Sequence, residues 1–207
     1  MRVLWATALI VVVDQVTKLL VKTQMEYGES IPIVGRLFRF TFTENPGMAF
    51  GLTVGSKLFL TVFSVVATGL IYAYLRHVRW APFGYRMALA LVLGGAIGNV
   101  IDRVFYGAIW GECPPSPPGS ARLMYGCVVD FLHLNVYNGT LPESLPAVGG
   151  SYLSLFPIGN VADVAIMTGV VLVLVTQNRF QAVVQEREEA ARAAAVPAPA
   201  PDDTPAG

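Results

Sequence analysis

The sequence predicts a membrane α-helical protein, with four transmembrane helices and a small β-sheet lying on the outer membrane surface. Three observations carry this. Only 14% of the residues are charged and 54% are hydrophobic, with a mean hydropathy of +0.56. A soluble globular domain is about 25% charged. Four apolar stretches, residues 3–21, 58–75, 87–101 with its flanks, and 161–176, suit a bilayer core that takes about 20 helical residues to cross. Between the first two, "RLFRFTFT" (36–43) alternates Phe38, Phe40 and Phe42 with Arg39, Thr41 and Thr43. That two-residue period is a strand with one apolar face.

The first stretch follows Arg2 and has the look of a secretory signal. Asp14 and Lys18 interrupt it, and no small-residue cleavage site follows. It reads as a retained helix. "ENPGMAFG" (44–51) ends the strand with Pro and Gly, a turn signal. The third stretch contains "GGAIGNVIDRV" (94–104), in which Gly94 and Gly98 form a small-xxx-small pair for close helix packing. "PPSPPGS" (114–120) is an extended, Pro-rich segment flanked by Cys113 and Cys127. On an oxidising side of the membrane the two thiols can pair, and two free thiols fit the sequence equally well. After the fourth stretch, "FQAVVQEREEAARAAA" (180–195) has helical composition, and a Pro/Ala-rich tail of disordered character follows.

Basic residues set the orientation. Arg2, the loop with Arg76, Arg79 and Arg86, and the tail with Arg179, Arg187 and Arg192 all fall on one side of a four-span chain. That side is expected to be the cytoplasm, with both termini in it. Lys22, Arg36 and Arg39 make the first outer loop less clean. Fourteen basic residues balance fourteen acidic ones. With no dense basic run, the sequence gives no sign of a nucleic-acid partner.

The polar residues inside the spans share one depth. Asp14 and Lys18, four apart on one helix face, lie toward the outer end of the first helix. Asn99, Asp102 and Arg103 lie at the outer end of the third, and Asn160 and Asp163 at the outer start of the fourth. Asp130 ends an apolar run in "CVVDFLHL" (127–134), and Asn45 belongs to the surface loop. Intramembrane ionisable groups are costly and face a bundle interior or a wet cavity, so convergence at one layer points to a site.

Each residue also has a plain structural reading. Asp14 and Lys18 make an i,i+4 ion pair, and Asp102 beside Arg103 a buried pair that holds the third helix. Asn160 is a favoured N-cap, and Asp163 at N3 suits the positive end of the helix dipole. His133 and His77 have no ligand-spaced partners for zinc, and no Ser or Cys has an evident His base. Two of the carboxylates in this layer, Asp130 and Asp163, have no basic residue beside them in sequence. If they face each other they share a proton, one serving as general base on water and the other as general acid. That chemistry needs no metal and no cofactor.

At these residues the chain resembles the bacterial lipoprotein signal peptidases, or signal peptidase II. "DQVTK" (14–18), "NPGMAFG" (45–51), "GGAIGNVIDR" (94–103), "VVDF" (128–131) and "NVAD" (160–163) are similar, in order, to five blocks of that family. The resemblance covers nearly everything except the tail. It implies a four-span inner-membrane aspartic endopeptidase with a small periplasmic β-sheet cradle on the outer membrane surface and with Asp130 and Asp163 as catalytic dyad. It implies that Asp14, Lys18, Asn45, Gly47, Asn99, Asp102, Arg103 and Asn160 line or hold the site, which lies near the periplasmic face. The implied substrate is a prolipoprotein already carrying diacylglyceryl on its lipobox Cys, cut on the N-terminal side of that Cys, and membrane lipid is the other partner. Residues 1–178 are then a monomeric peptidase domain, with a β-rich outer loop at about 27–56 and a long second outer loop at about 107–159. Residues 179–207 are a cytoplasmic tail. The chain departs from the family at Gly159, where an aromatic is usual, at Val164, where Ser is frequent, and in a longer loop at 107–126. These bear on the shape of the substrate entrance and leave every implied catalytic group in place.

Two other readings fit the same carboxylates. A proton-coupled carrier would place them near the bilayer midplane and show inverted repeats, and no repeat is visible. A non-catalytic scaffold would use the polar layer only to hold its helices.

Overall fold

The computed structural model describes residues 2–49, 52–53, 56–111, 121–135, 138–140, 143, 150, 152–154 and 158–195. The Pro-rich segment, Cys113, Phe50 and Gly51 of the second block, and the tail beyond 195 lie outside them. The elements run α1 (Leu4–Gln24), β1 (Ser30–Val34), β2 (Phe38–Asn45), β3 (Met48–Ala49), β4 (Leu52–Thr53), α2 (Lys57–His77) and α3 (Phe83–Ile101). A π-helical turn (Asp102–Tyr106) and the one-turn α4 (Gly107–Ile109) extend α3, followed by β5 (Val128–Leu134), β6 (Asn138–Thr140), β7 (Tyr152–Ser154) and α5 (Val161–Ala195).

Four of these helices are long and apolar enough to cross a membrane: α1, α2, α3 with its extension, and α5. Each expected stretch is there, and each helix runs past it into polar flanks. The backbone of a chain in lipid must satisfy its own hydrogen bonds, so the helix continues until water or a cap takes over. Ser56 supplies such a cap to α2, its hydroxyl accepting the Phe59 N–H at 3.2 Å. α5 continues unbroken from the membrane segment through residue 178 to Ala195.

α3 is the most buried span and packs against α1, α2 and α5. Its glycines divide the work. A Cβ on Gly94 would stand 2.9 Å from Ile10 Cβ of α1, and one on Gly95 would run into the Ala162 carbonyl of α5. Gly98 faces both the Asp14 carboxylate and Ala162. The close approach therefore uses three glycines on two faces, where the sequence suggested one pair. At the far end Val3, Leu75, Val78, Ala81, Tyr85, Leu89, Ala90 and Leu93 form a core. Phe180 of α5 packs there, its ring 4.1 Å from that of Tyr85 and 5.6 Å from that of Trp80, and Arg187 lies over Trp80 at 4.7 Å.

At the site end, β1, β2 and β5 form an antiparallel sheet in the order β1-β2-β5. The alternating segment is β2, shifted two residues later than the sequence pattern suggested. The reason is Gly35, whose φ of +53° permits the turn closed by the Leu37 N–H on the Val34 carbonyl. Phe42, Val129 and Phe131 pack under the sheet against Val21 of α1 and Tyr106.

Candidate active site

The site is assembled where α1, α3, β5 and the first turn of α5 meet. Lys18 is fully buried, and its ammonium has three acceptors for three protons: Asp14 Oδ2 at 2.9 Å, Asp102 Oδ2 at 2.7 Å and Asn99 Oδ1 at 2.9 Å. The i,i+4 pair expected of Asp14 and Lys18 is present and is half of a larger cluster. Asp102 does not pair with its neighbour Arg103. Adjacent helical residues point in different directions, so Asp102 reaches α1 while the Arg103 guanidinium lies beside Gly47 of the surface loop, within electrostatic range of Asp130, Asp102 and Asp163. A π-helical turn begins at this point, a distortion frequent at functional sites.

The two buried aspartates also tie the elements together. Asp14 Oδ1 accepts the Ala162 N–H at 2.9 Å, satisfying one of the free amides that open α5. Asp102 Oδ2 accepts the Val129 N–H of β5 at 3.2 Å. Two residues that sequence reasoning passed over complete the cluster. Gln15 donates to Asp102 Oδ1 at 3.0 Å and to the Gly98 carbonyl at 3.2 Å, and its own oxygen accepts from the Tyr106 hydroxyl at 3.2 Å. The available signal was Gln15 itself, a further polar side chain in an apolar run beside Asp14.

Asn99 passes this order onward. Its oxygen faces Lys18, so its amide donates to Asp163 Oδ1 at 2.9 Å. Asn160 caps α5 as expected: its oxygen accepts the Asp163 N–H at 3.0 Å, while its own N–H donates to Asp163 Oδ2 at 3.1 Å. Its side-chain amide donates to Asp130 Oδ1 at 2.7 Å and to the Val129 carbonyl at 3.2 Å. Asn160 thus contacts both Asp130 and Asp163.

Asp130 lies on β5 opposite Thr43, only 3% exposed. Burial, and next the charge of Asp163, push its carboxyl up to about 7, while hydrogen bonds from Asn160 and Asn45 oppose the rise. Asn45 Oδ1 accepts the Gly47 N–H at 2.9 Å, an Asx turn that leaves its amide for Asp130. Gly47 has φ +103°, and any Cβ on it would strike Leu60 and lie 3.2 Å from Arg103 Nη1. The glycine lets this turn close over Arg103. At Gly159 a Cβ would stand 2.9 Å from Asp163 Oδ2, so a side chain there would crowd that carboxylate. Gly159 is held in place by a bridge to Leu132 of β5. Cys127 is buried and disulfide-bonded, which removes the free-thiol alternative for it.

Every residue singled out in the spans is therefore in one network, and Asn45 and Gly47 reach it from the surface loop. A family model described as signal peptidase (SPase) II matches residues 6–179. The chain belongs to the signal peptidase II family. Among curated relatives, a lipoprotein signal peptidase of Porphyromonas gingivalis is 40% identical over 83% of this chain and 80% of its own length. One of Amoebophilus asiaticus is 38% identical over 82% and 75%. A bacterial membrane enzyme solved by the in meso method at 2.3 Å superposes with a TM-score of 0.60 at 25% identity, covering 86% of this chain and 88% of that one. As a signal peptidase II the chain is a multi-pass membrane protease of lipoprotein processing, with the four spans and three-stranded sheet described above.

Proposed function

We propose that the chain is an aspartic endopeptidase that removes signal peptides from diacylglyceryl-modified prolipoproteins, cutting N-terminal to the lipidated Cys. The observation that carries this is Asn160, whose side-chain amide donates to Asp130 Oδ1 while its backbone N–H donates to Asp163 Oδ2, so one residue holds both carboxylates. Asp163 accepts the Asn99 side-chain amide on Oδ1 and the Asn160 N–H on Oδ2, which fix the direction of its carboxyl group. It takes a proton from the attacking water. Asp130, with its carboxyl raised to about 7, carries the proton that the carbonyl oxygen receives as water adds. As the C–N bond breaks, Asp163 gives the proton it took from water to the leaving amine, and a hydroxyl of the tetrahedral intermediate returns a proton to Asp130, which restores both groups. Arg103 lies within electrostatic reach of both groups and steadies the negative charge they share. Asp14, Lys18, Gln15, Asn99 and Asp102 hold the frame.

A scissile bond beside a lipidated Cys is kept at the membrane surface by its acyl chains. A carboxylate one turn inside α5, facing another on a surface strand, is at the matching depth. In this reading residues 1–178 form the peptidase unit of a monomer in the bacterial inner membrane, the site faces the periplasm, and the continuation of α5 enters the cytoplasm with the N-terminus. Arg76, Arg79, Arg86, Arg179, Arg187 and Arg192 support that orientation.

The test compares wild type, Asp130→Asn and Asp163→Asn on a diacylglyceryl-modified prolipoprotein, with cleavage followed by gel shift and folding by thermal melt. Loss of about 10²-fold or more in rate in both folded variants supports a general acid–base pair. A folded variant that cuts at the wild-type rate removes that residue from the chemistry, and a scaffold role would then account for its hydrogen bonds.

A further inference from the structure

The last turns of a helix leave carbonyls without helical partners. At the end of α3 a strap of chain, residues 121–127, supplies them. It runs back along the π-helical turn and α4. Alternate amides of the strap donate in order: Arg122 N–H to the Gly107 carbonyl at 3.1 Å, Met124 N–H to that of Val104 at 2.8 Å, and Gly126 N–H to that of Arg103 at 3.0 Å. The approach is close, and a Cβ on Gly126 would run into the Asp102 carbonyl. The strap therefore sets the backbone from which Arg103 projects.

Among the described residues, Met124 is the one non-glycine with positive φ, at +71°. Left-handed backbone is uncommon for a residue with a Cβ and persists where the surroundings over-determine it. Here the determining contact comes from α2. Thr61 is 1% exposed. Its hydroxyl lies 3.0 Å from the Met124 carbonyl and 2.9 Å from that of Lys57, so one proton serves two acceptors. The neighbouring Leu60 bears on the other end of the same arginine. It stands over Gly47, where a Cβ would meet Leu60 and lie 3.2 Å from Arg103 Nη1. Consecutive residues of α2 thus reach the Arg103 backbone through the strap and its guanidinium through the surface loop.

We infer that Thr61 and Leu60 of α2 are positioning residues for Arg103: the Thr61 hydroxyl locks the strap onto the Arg103 carbonyl, and Leu60 holds the loop that lies over the guanidinium. α2 then has a part in the site as well as in crossing the membrane. Arg103 lies within electrostatic range of Asp130, Asp102 and Asp163, so its placement decides how much positive charge these carboxylates feel. The consequence for cleavage rests on the function proposed above; the placement of Arg103 does not.

The test uses the full chain in phospholipid nanodiscs as wild type, as Thr61→Val, which keeps the shape and removes the donor, and as Thr61→Ser, which keeps the donor. Thermal melts check folding. Phenylglyoxal modifies arginines, and peptide mass gives the rate at Arg103 against the exposed Arg36 as internal standard. In Thr61→Val that relative rate should rise severalfold, and in Thr61→Ser it should return to near wild type. On a diacylglyceryl-modified prolipoprotein, Thr61→Val should lose about 10-fold in kcat with KM little changed, because small misplacements in a reacting site are costly. Its decline at alkaline pH should move upward, since Asp130 keeps its proton longer when the cation near it is loosely held. Wild-type labelling of Arg103 in a folded Thr61→Val overturns the inference, whether or not the chain cuts. Raised labelling with an unaltered kcat and pH profile, in a chain that cuts, overturns its part in the reaction. A wild type that fails to cut removes the proposed function, and the labelling still decides the placement. If Thr61→Val does not fold, Leu60→Ala is read in the same two ways.

Discussion

Asn160 and Asp163 exchange hydrogen bonds across the first turn of α5, side chain to backbone in both directions, at 3.0 and 3.1 Å. The helix start and the candidate chemistry therefore depend on the same two residues. Asn160→Ala should lose about 0.5–2 kcal/mol for the cap and about 1–3 kcal/mol for the buried Asp130 oxygen left without its donor. Asn160→Ser separates the two, because Ser caps a helix and is too short to reach Asp130. It should recover part of the thermal stability and little of the cleavage rate. Wild-type cleavage by Asn160→Ser would mean the amide on Asp130 is dispensable.

The protonation of Asp130 gives a pH signature. Its carboxyl is raised from 3.8 to about 7, by burial first and by Asp163 second. Between those values the folded protein keeps a proton that the unfolded chain has released. Stability from this group is thus full at low pH, falls as pH rises through the window, and levels off above about 7. Melting curves should show that slope in wild type and lose it in Asp130→Asn. If the proton on Asp130 is the one delivered, cleavage should also decline above about pH 7.

Lys18 sits between two buried aspartates. Lys18→Met leaves Asp14 and Asp102 without their cation, a change of the kind that costs about 3–5 kcal/mol. Lys18→Arg should not repair it, because a planar fork cannot replace a compact charge ringed by three acceptors. Chemical denaturation would register both. The variant should also lose activity beyond its loss of folded protein, since Lys18 fixes which way the Asn99 amide points. Activity that merely tracks the folded fraction would reduce Lys18 to a structural role.

At the other end of the bundle, Phe180 is stacked on Tyr85 and Trp80. Each such aromatic pair adds about 0.5–1.5 kcal/mol beyond burial, so Phe180→Ala should lower the melting temperature while leaving the pH profile of cleavage unchanged. A shifted profile would show coupling along α5 that the packing does not suggest.

The four spans were legible because lipid demands long apolar runs, and β2 because a half-buried strand alternates. Asp130 and Asp163 stood out because no basic residue accompanies them in sequence. What the sequence concealed is partnership across distance. Lys18 reaches Asp102 from another helix, and nothing local to "IDRV" reveals that Asp102 faces α1 while Arg103 faces away. The apolar run 128–134 is the centre of a sheet only because β2, some 90 residues earlier, lies beside it. β1, with Pro32 in its middle, has weak strand character of its own and is held by its neighbour. Gln15 was visible and was passed over, because its partners lie on α3 and in the π-turn.

α5 is fastened at Asn160 by its cap and at Phe180 by its ring stack. Those anchors are 20 residues apart, a rise of about 30 Å, close to the ~30 Å of a bilayer's hydrocarbon core. The helix is in effect a gauge rod, and residue count sets the height of Asp163 relative to Asn99 and β5. One residue inserted between the anchors would lift that carboxylate by about 1.5 Å and swing it by about 100°, enough to take it from the Asn99 amide that donates to it without replacing either residue. The same insertion beyond Arg187 would leave the measure intact.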